Sequence, residues 1–366
     1  MTSLRVGIVG IGNISGIYLK NLGGYRSTSV VAVTDIDPSR AAAAAEEYGV
    51  PNVCTPEELL SNPGVDLVLN LTIPGAHGEV GLRAVEAGKH VYNEKPLAID
   101  LATAQKLVEA ARAKGVLVGC APDTFLGAGL QTARKAIDAG EIGVPVAAQA
   151  AMLSRGPEPW HPSPEFFYKA GGGPMLDMGP YYVTALVSLL GPIKRVAGLA
   201  RASFPTRTVG SGPLKGSVIH VETPTHYIGG AEFKSGPLAQ LEMSFDVYYN
   251  WPDHPITIFG SEGTLRVPDP NNFGGEVLVR RGGENEWRTV PCTHGFSENS
   301  RGLGVLDMAR SLSEGRPHRA SGDLALHVLD VMLAFQRSSD EGRHIELCTG
   351  IDRPAPVGAH EFADEL

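Results

Sequence analysis

The sequence is short of several things. No stretch approaches the ~18 uninterrupted apolar residues that a membrane-spanning helix needs, so no membrane partner is expected. Cysteine is scarce: Cys54, Cys120, Cys292 and Cys348 lie far apart and form no C-x-x-C pair. That excludes a disulfide framework, and free thiols in a reducing cytosol are the expectation. No H-x-x-x-H spacing or comparable ligand set occurs, so no metal is expected. Basic charge is in deficit, 31 Lys and Arg against 40 Asp and Glu, which argues against nucleic acid. No charged leader with an apolar core precedes the first strand-like run, so a cytoplasmic protein is expected.

What is present suits two domains, given 366 residues. The most organised stretch is Val6-Gly7-Ile8-Val9-Gly10-Ile11-Gly12-Asn13-Ile14-Ser15, followed by an amphipathic run and then Val30 to Asp35. An apolar run, a glycine turn, a helix and a second apolar run ending on an acid is the order of a nucleotide-binding βαβ unit. Gly10 permits a tight turn, and Gly12 lets backbone approach a pyrophosphate. The free N–H groups of the next helix, entered through Asn13 and Ile14, would face that charge. Ser15 replaces the third glycine at a packing position that tolerates a small side chain. Asp35, about 25 residues on, has the spacing of an acid that holds ribose hydroxyls. Turn glycines and an ordinary loop acid would read the same way, so this stretch alone leaves both open.

Strand-like and helix-like segments then alternate as far as Val116–Val118, which predicts an α/β, doubly wound (Rossmann-type) parallel sheet with helices on both faces, over residues 1–122. The pattern changes afterwards. A helix at Leu126–Ala139, a strand at Val144–Leu153, a proline-rich loop and a helix at Met175–Leu190 precede strand-like segments from Ile193 to Val290. With few helices between them, these predict a large, mostly antiparallel sheet. Helices at Gly302–Glu314 and Asp323–Arg337 close a second domain of residues 123–351, and 352–366 reads as a surface arm.

Ligands of such open sheets bind beyond the carboxyl ends of the strands. Three ends carry candidates: the glycine turn; Thr72-Ile73-Pro74 with His77 opening the next helix; and Asn93-Glu94-Lys95-Pro96. Pro96 restricts Lys95 to extended geometry, from which its ammonium can meet a substrate hydroxyl, unless Glu94 and Lys95 form only a surface ion pair. In the second half, Gly171-Gly172-Gly173 leads into a helix carrying Asp177 and Tyr181 at i, i+4, hence on one face, with Tyr182 beside them. A carboxylate and a phenol there make a polar pocket wall, or a helix-start acid and a packed tyrosine.

With these motifs in view, the chain resembles the glucose–fructose oxidoreductase/inositol dehydrogenase/rhizopine-catabolism (Gfo/Idh/MocA) family over nearly its whole length. The resemblance implies a Rossmann domain joined to a domain with an open antiparallel sheet, NAD(P)-dependent action on sugars or polyols, and homodimers or homotetramers built through that sheet. It makes Lys95 the catalytic lysine, implies a cis bond before Pro96, and gives Asp177 a substrate-orienting role. Tyr181 stands where histidine is usual, and Thr184 where an acid is common, which leaves the identity of the base open.

The reading from residues agrees: a secondary hydroxyl between Lys95 and Tyr181 would lose a hydride to the nicotinamide. An unperturbed phenol near pKa ~10 is a poor base, but an adjacent ammonium favours the phenolate. His161, on the proline-rich loop, titrates in a better range and is the alternative base. Asp35 favours NAD over NADP, with Arg40 leaving some room for the latter. Arg155, Trp160 and His161, with Phe166, Phe167 and Tyr168, supply aromatic faces for a sugar ring and groups for an anionic substituent; core packing would serve Phe166 and Phe167 equally. Three functions remain: a sugar or polyol dehydrogenase, an NAD-dependent glycoside hydrolase with transient oxidation and no net redox change, and a cofactor-binding regulator without turnover.

Overall fold

A computed structural model describes residues 3–248 and 254–365. They fall into two units, one of residues 3–127, 295–326 and 357–365, the other of the described residues within 128–294 and 327–356. In the first unit, β1 (Leu4–Val9), β2 (Thr28–Thr34), β3 (Leu67–Asn70), β4 (His90–Asn93) and β5 (Val118–Cys120) pair in parallel in the order β2-β1-β3-β4-β5. Buried runs such as Leu67-Val68-Leu69 in the central β3 suit a sheet covered on both faces.

Helices α1 (Ser15–Gly24), α2 (Pro38–Tyr48), α3 (Pro56–Ser61), α4 (His77–Glu86) and α5 (Leu101–Lys114) connect the strands. Their ends are written into the sequence. Asp37 accepts the Ser39 N–H at the start of α2, Thr55 and Glu58 form a capping box on α3, and α5 runs from Asp100 to a left-handed Gly115. The fifth strand lies two residues later than the alternation placed it, because Cys120 is the residue that pairs with Asn93.

The second unit contains α6 (Ala128–Asp138), β6 (Pro145–Leu153), α7 (Gly173–Asp177), α8 (Gly179–Leu190) and β7 (Ile193–Arg201). A small hairpin of β8 (Thr206–Thr208) and β9 (Val218–His220) follows, and each strand is too short to have shown an alternation. Strands β10 (His226–Phe233), β11 (Leu238–Ser244), β12 (Ile256–Gly260), β13 (Gly263–Val267), β14 (Val277–Arg281) and β15 (Arg288–Val290) complete the sheet. With β16 (Ile345–Glu346), the nine strands run β15-β14-β13-β12-β6-β11-β10-β7-β16, and β6–β11 is the one parallel pair. One face is buried, with Ile256, Ile258, Leu265, Val267, Val277 and Val279 in strict alternation.

Two sequence expectations are corrected here. The helix expected at Met175–Leu190 is two helices, broken at Met178. Pro180 has no N–H to give to the preceding turn, so α8 starts afresh with proline in its first turn. Asp177 therefore ends one helix while Tyr181 begins the next, and their i, i+4 relation on a single helix does not hold.

The second correction concerns α9 (Leu303–Glu314) and the tail, which were expected in the second domain and as a surface arm. Residues 295–326 and 357–365 belong to the first unit. Asp307, fully buried in α9, accepts from Arg319, whose guanidinium also reaches Glu361 at 2.8 Å. Glu365, 2 % exposed, accepts from Ser27 Oγ (2.6 Å) and pairs with Arg310. Phe362 is buried against the ring of Phe296. The long helix α10 (Gly322–Glu341) serves the second unit from His327 onward.

Asp123, just after β5, receives the N–H groups of Gly302 and Gly304 at the start of α9 on one carboxylate oxygen, each at 2.9 Å. Burial pushes its pKa from near 3.8 up to about 6, against the lowering effect of those hydrogen bonds. An acid whose folded pKa is raised contributes stability below its unfolded pKa and loses it as pH rises through the folded one. Asp123→Asn keeps an acceptor and removes the ionisation. The variant is expected to gain on the wild type by up to about 3 kcal/mol between pH ~4 and ~6, measured as the difference in urea unfolding across that window.

Candidate active site

In the first unit the chain leaves β1 for β2 on one side and returns to β3 on the other, so the loops after β1 and β3 part and leave a crevice at their carboxyl ends. Gly10 has φ +97°, and a Cβ there would stand 2.8 Å from the Leu71 carbonyl oxygen; glycine is required. Asp35 stitches this turn to the end of β2: its carboxylate accepts from Ile11 N at 2.6 Å and from Asp37 N at 2.8 Å. A Cβ on Gly12 would project into open space, and α1 begins at Ile14 without a side-chain cap. Ser15 turns its hydroxyl back to the Gly12 carbonyl. Uncapped N–H groups before an open glycine cradle fit the pyrophosphate of a dinucleotide.

Asn13 is exposed at this turn, and Arg40 is exposed in the first turn of α2, 3.6 Å from Asp37. Sequence reasoning passed over Ile36, which is fully exposed beside Asp35. An apolar side chain left in solvent at a strand end was the available signal.

The ends of β3 and β4 are tied by two buried amides. Asn70 and Asn93 are register partners. Asn70 Nδ2 donates to Asn93 Oδ1 (3.0 Å) and to the His77 carbonyl, while Asn93 Nδ2 reaches the carbonyls of His77 and Leu97. Asn70 Oδ1 accepts the Thr72 hydroxyl at 2.6 Å. His77 is 1 % exposed, its ring nitrogens 2.7 Å from the Pro96 carbonyl and 3.0 Å from that of Thr72. Burial lowers its pKa against the raising effect of the two carbonyls, and the neutral ring, with one N–H, donates to one of them at a time. The structure thus makes His77 a brace between two loops, placed beneath the crevice wall. Pro74 opens the short 3₁₀ turn Pro74–Ala76 above it.

Glu94, nearly buried, accepts the Tyr18 hydroxyl on one oxygen (2.7 Å) and the Lys95 backbone N–H on the other (3.0 Å). Glu94 thus clamps the lysine's backbone as well as the Tyr18 hydroxyl. Lys95 is half-buried and its bond to Pro96 is cis. Asn70 and Tyr18 were missed in the sequence, and Asn93 was named there without a role; two asparagines closing consecutive apolar runs were the legible trace.

In the second unit, Gly172 and Gly173 let backbone pass close. A Cβ would meet the Phe166 carbonyl at 2.5 Å in one case and that of Pro224 at 2.7 Å in the other. That contact joins α7, with half-buried Asp177 at its end, to the aromatic segment Glu165–Tyr168. Tyr181 is 7 % exposed, while Tyr182 is a core residue whose phenol burial pushes upward.

The proline-rich loop is anchored by a charged cluster that sequence reasoning did not find. Arg207 on β8 donates to Glu158 (2.9 Å) and to Asp246, all three nearly buried, and Tyr168 donates to Glu158. These residues are far apart in the chain, so no spacing revealed them. Arg155 keeps its guanidinium inside this neighbourhood, 4.0 Å from Glu158 and over the rings of Phe204 and Tyr248. Trp160 and Phe166 stay exposed, at 67 % and 49 %, with the half-buried His161 ring edge-on to both and to Phe167. Ser163 N donates to His161 Nδ1 at 3.1 Å. His327 is structural: Nε2 accepts from Ile193 N, and burial lowers its pKa to about 4.

Among the described residues no group of three or more His, Cys, Asp or Glu is placed to hold a metal. Among them no helix is long and apolar enough to cross a membrane.

Comparison with known proteins follows the same division. Residues 4–121 match the oxidoreductase family with NAD-binding Rossmann fold, Gfo/Idh/MocA, and residues 130–266 match the Gfo/Idh/MocA C-terminal domain. A 1,5-anhydro-D-fructose reductase from Ensifer adhaerens is 33 % identical over 359 residues, covering 95 % of this chain and 99 % of the relative. A myo-inositol 2-dehydrogenase from Thermotoga maritima is 25 % identical over 349 residues, 94 % and 98 % of the two chains. Among solved structures, levoglucosan dehydrogenase in complex with NADH and levoglucosan shares the fold with a TM-score of 0.81 at 18 % identity, over 95 % and 100 % of the chains. The parallel sheet with its glycine turn, the mostly antiparallel second sheet and these matches along both units lead to one conclusion: the chain belongs to the Gfo/Idh/MocA family of NAD-binding oxidoreductases.

Proposed function

We propose that this protein is an NAD-linked dehydrogenase or reductase that interconverts a secondary hydroxyl and a ketone on a ring sugar or related polyol. The observation that carries the reading is the clamp at the end of β4, where Glu94 fixes the Lys95 backbone beside a crevice suited to a dinucleotide. The relatives cited above, two dehydrogenases and a reductase, favour net hydride transfer over glycoside hydrolysis.

Gly10, Gly12, Asn13 and Ile14 would hold the pyrophosphate, Asp35 the adenosine ribose, with Ile36 offering an apolar surface to the base. Thr72, Pro74 and Glu94 shape the wall on the other side. When bound, the nicotinamide supplies the acceptor or donor of hydride. Lys95 gives a hydrogen bond and fixed positive charge to the oxygen of the reacting carbon. Asp177 accepts from a neighbouring substrate hydroxyl and orients the ring. Tyr181 takes the hydroxyl proton on oxidation and returns it on reduction. Leu199 and Ile228 pair directly, and Leu238 and Phe259 flank Ala147, all four exposed on the uncovered face of the nine-stranded sheet. A second copy of the chain covers that face in a homodimer or homotetramer.

Four outcomes check this. Lys95→Met is expected to lower turnover about 100-fold or more while NAD still binds, and Tyr181→Phe to lower kcat by about 100-fold. An unchanged rate in Tyr181→Phe removes the phenol from the role of base. The ratio of kcat/KM for NAD over NADP is expected to exceed about 10, because Asp35 repels a 2′-phosphate, and to fall in Asp35→Ala. In sedimentation, Leu238→Glu is expected to shift the protein toward monomer.

A further inference from the structure

His161 has its proton placed by its own loop. The Ser163 backbone N–H donates to Nδ1 at 3.1 Å. An amide nitrogen offers only its hydrogen, so Nδ1 must offer a lone pair, and the neutral ring then carries its proton on Nε2. The loop holds that arrangement firmly. The N–H groups of Trp160 and His161 both donate to the Pro157 carbonyl, at 3.1 and 2.8 Å. Ser211 Oγ donates to the His161 carbonyl, Gly210 N to that of Glu158, and the Arg207–Glu158 pair lies buried beneath.

The ring is gripped by aromatic edges and faces, with centroids 5.5 Å from Trp160, 5.6 Å from Phe166 and 5.3 Å from Phe167 at interplanar angles of 74–81°. Among the described residues, Nε2 has no hydrogen-bond partner, and Trp160 and Phe166 flank it with largely exposed rings. To act as a base, His161 would have to break the Ser163 bond and turn a second N–H toward an amide hydrogen. A donor of fixed position beside exposed apolar ring faces matches a cyclic substrate: its C–H face lies on the aromatics, and an oxygen with no hydrogen of its own accepts from Nε2.

We propose that His161 is a specificity-determining donor of fixed tautomer, giving its Nε2–H to a ring or carbonyl oxygen of a cyclic sugar seated on Trp160 and Phe166, and that it does not take up the proton released on oxidation. The substrate half of this rests on the function proposed above; the tautomer does not.

Long-range ¹H–¹⁵N correlation of the imidazole in the full-length, ligand-free protein above neutral pH, assigned by its loss in His161→Gln, reads the tautomer directly. The Nε2–H pattern is expected, and the Nδ1–H pattern overturns the proposal. Kinetics then separate donor from base. His161→Gln keeps an N–H donor and cannot serve as the base; kcat should fall by less than about 10-fold, and the sugar KM should rise less than in His161→Phe. His161→Phe keeps the ring without the donor, and should raise the sugar KM by about 10-fold or more with the NAD KM unchanged. A kcat loss of about 100-fold in His161→Gln would make His161 the base and refute the assignment. If the wild type reduces NAD with no cyclic sugar or cyclitol, the proposed function and the substrate half fall together, while the nuclear resonance still decides the tautomer.

Discussion

Two amides buried at the ends of adjacent strands hold two loops of the first unit in place. Asn70 and Asn93 bond to each other and to the carbonyls of His77 and Leu97, so the loop after β3 and the loop that carries Lys95 hang from one connected set of hydrogen bonds. In the interior such a network is stable only when each member is satisfied, and an unpaired amide there costs about 1–3 kcal/mol. His77 and Glu94 extend it outward, one bracing the Pro96 carbonyl and the other the Lys95 N–H. A flexible lysine is thereby carried on backbone that has little freedom of its own. Such positioning has to be built into the backbone, because the four-carbon stem of lysine supplies none.

The second unit solves the same problem with charge. The buried Arg207, with Glu158 and Asp246, fastens its proline-rich loop to the hairpin and to the end of β11. Removing one partner of such a cluster would leave an uncompensated charge inside the protein, which makes the arrangement an all-or-none support. Trp160 and Phe166 can remain in solvent because what anchors their loop lies elsewhere.

Much of this was legible in the chain. The parallel sheet followed from apolar runs between capped helices, and the glycine turn with Asp35 from spacing and residue type. Lys95 and Asp177 stood out through their glycine and proline neighbours. Other features were hidden for identifiable reasons. The break at Met178 depends on Pro180 falling where the helical pattern otherwise continued. Hairpin strands of three residues each are shorter than any periodicity can show. The Arg207 cluster and the docking of α9 join residues separated by long stretches of sequence, and local pattern carries no trace of such pairs. His77 was misplaced because a histidine opening a helix looks the same whether it faces a ligand or a carbonyl.

The route of the chain through the first unit also governs how that unit can be born. Its sheet is made from the earliest segments, yet α9 and residues 357–365 complete its packing, with Glu365 bonded to Ser27 and Arg310. During synthesis from the amino end, the nucleotide-binding half therefore stays unfinished while the whole of the other half emerges from the ribosome. The ionic latch between Glu365 and Arg310 closes only after that half has been made.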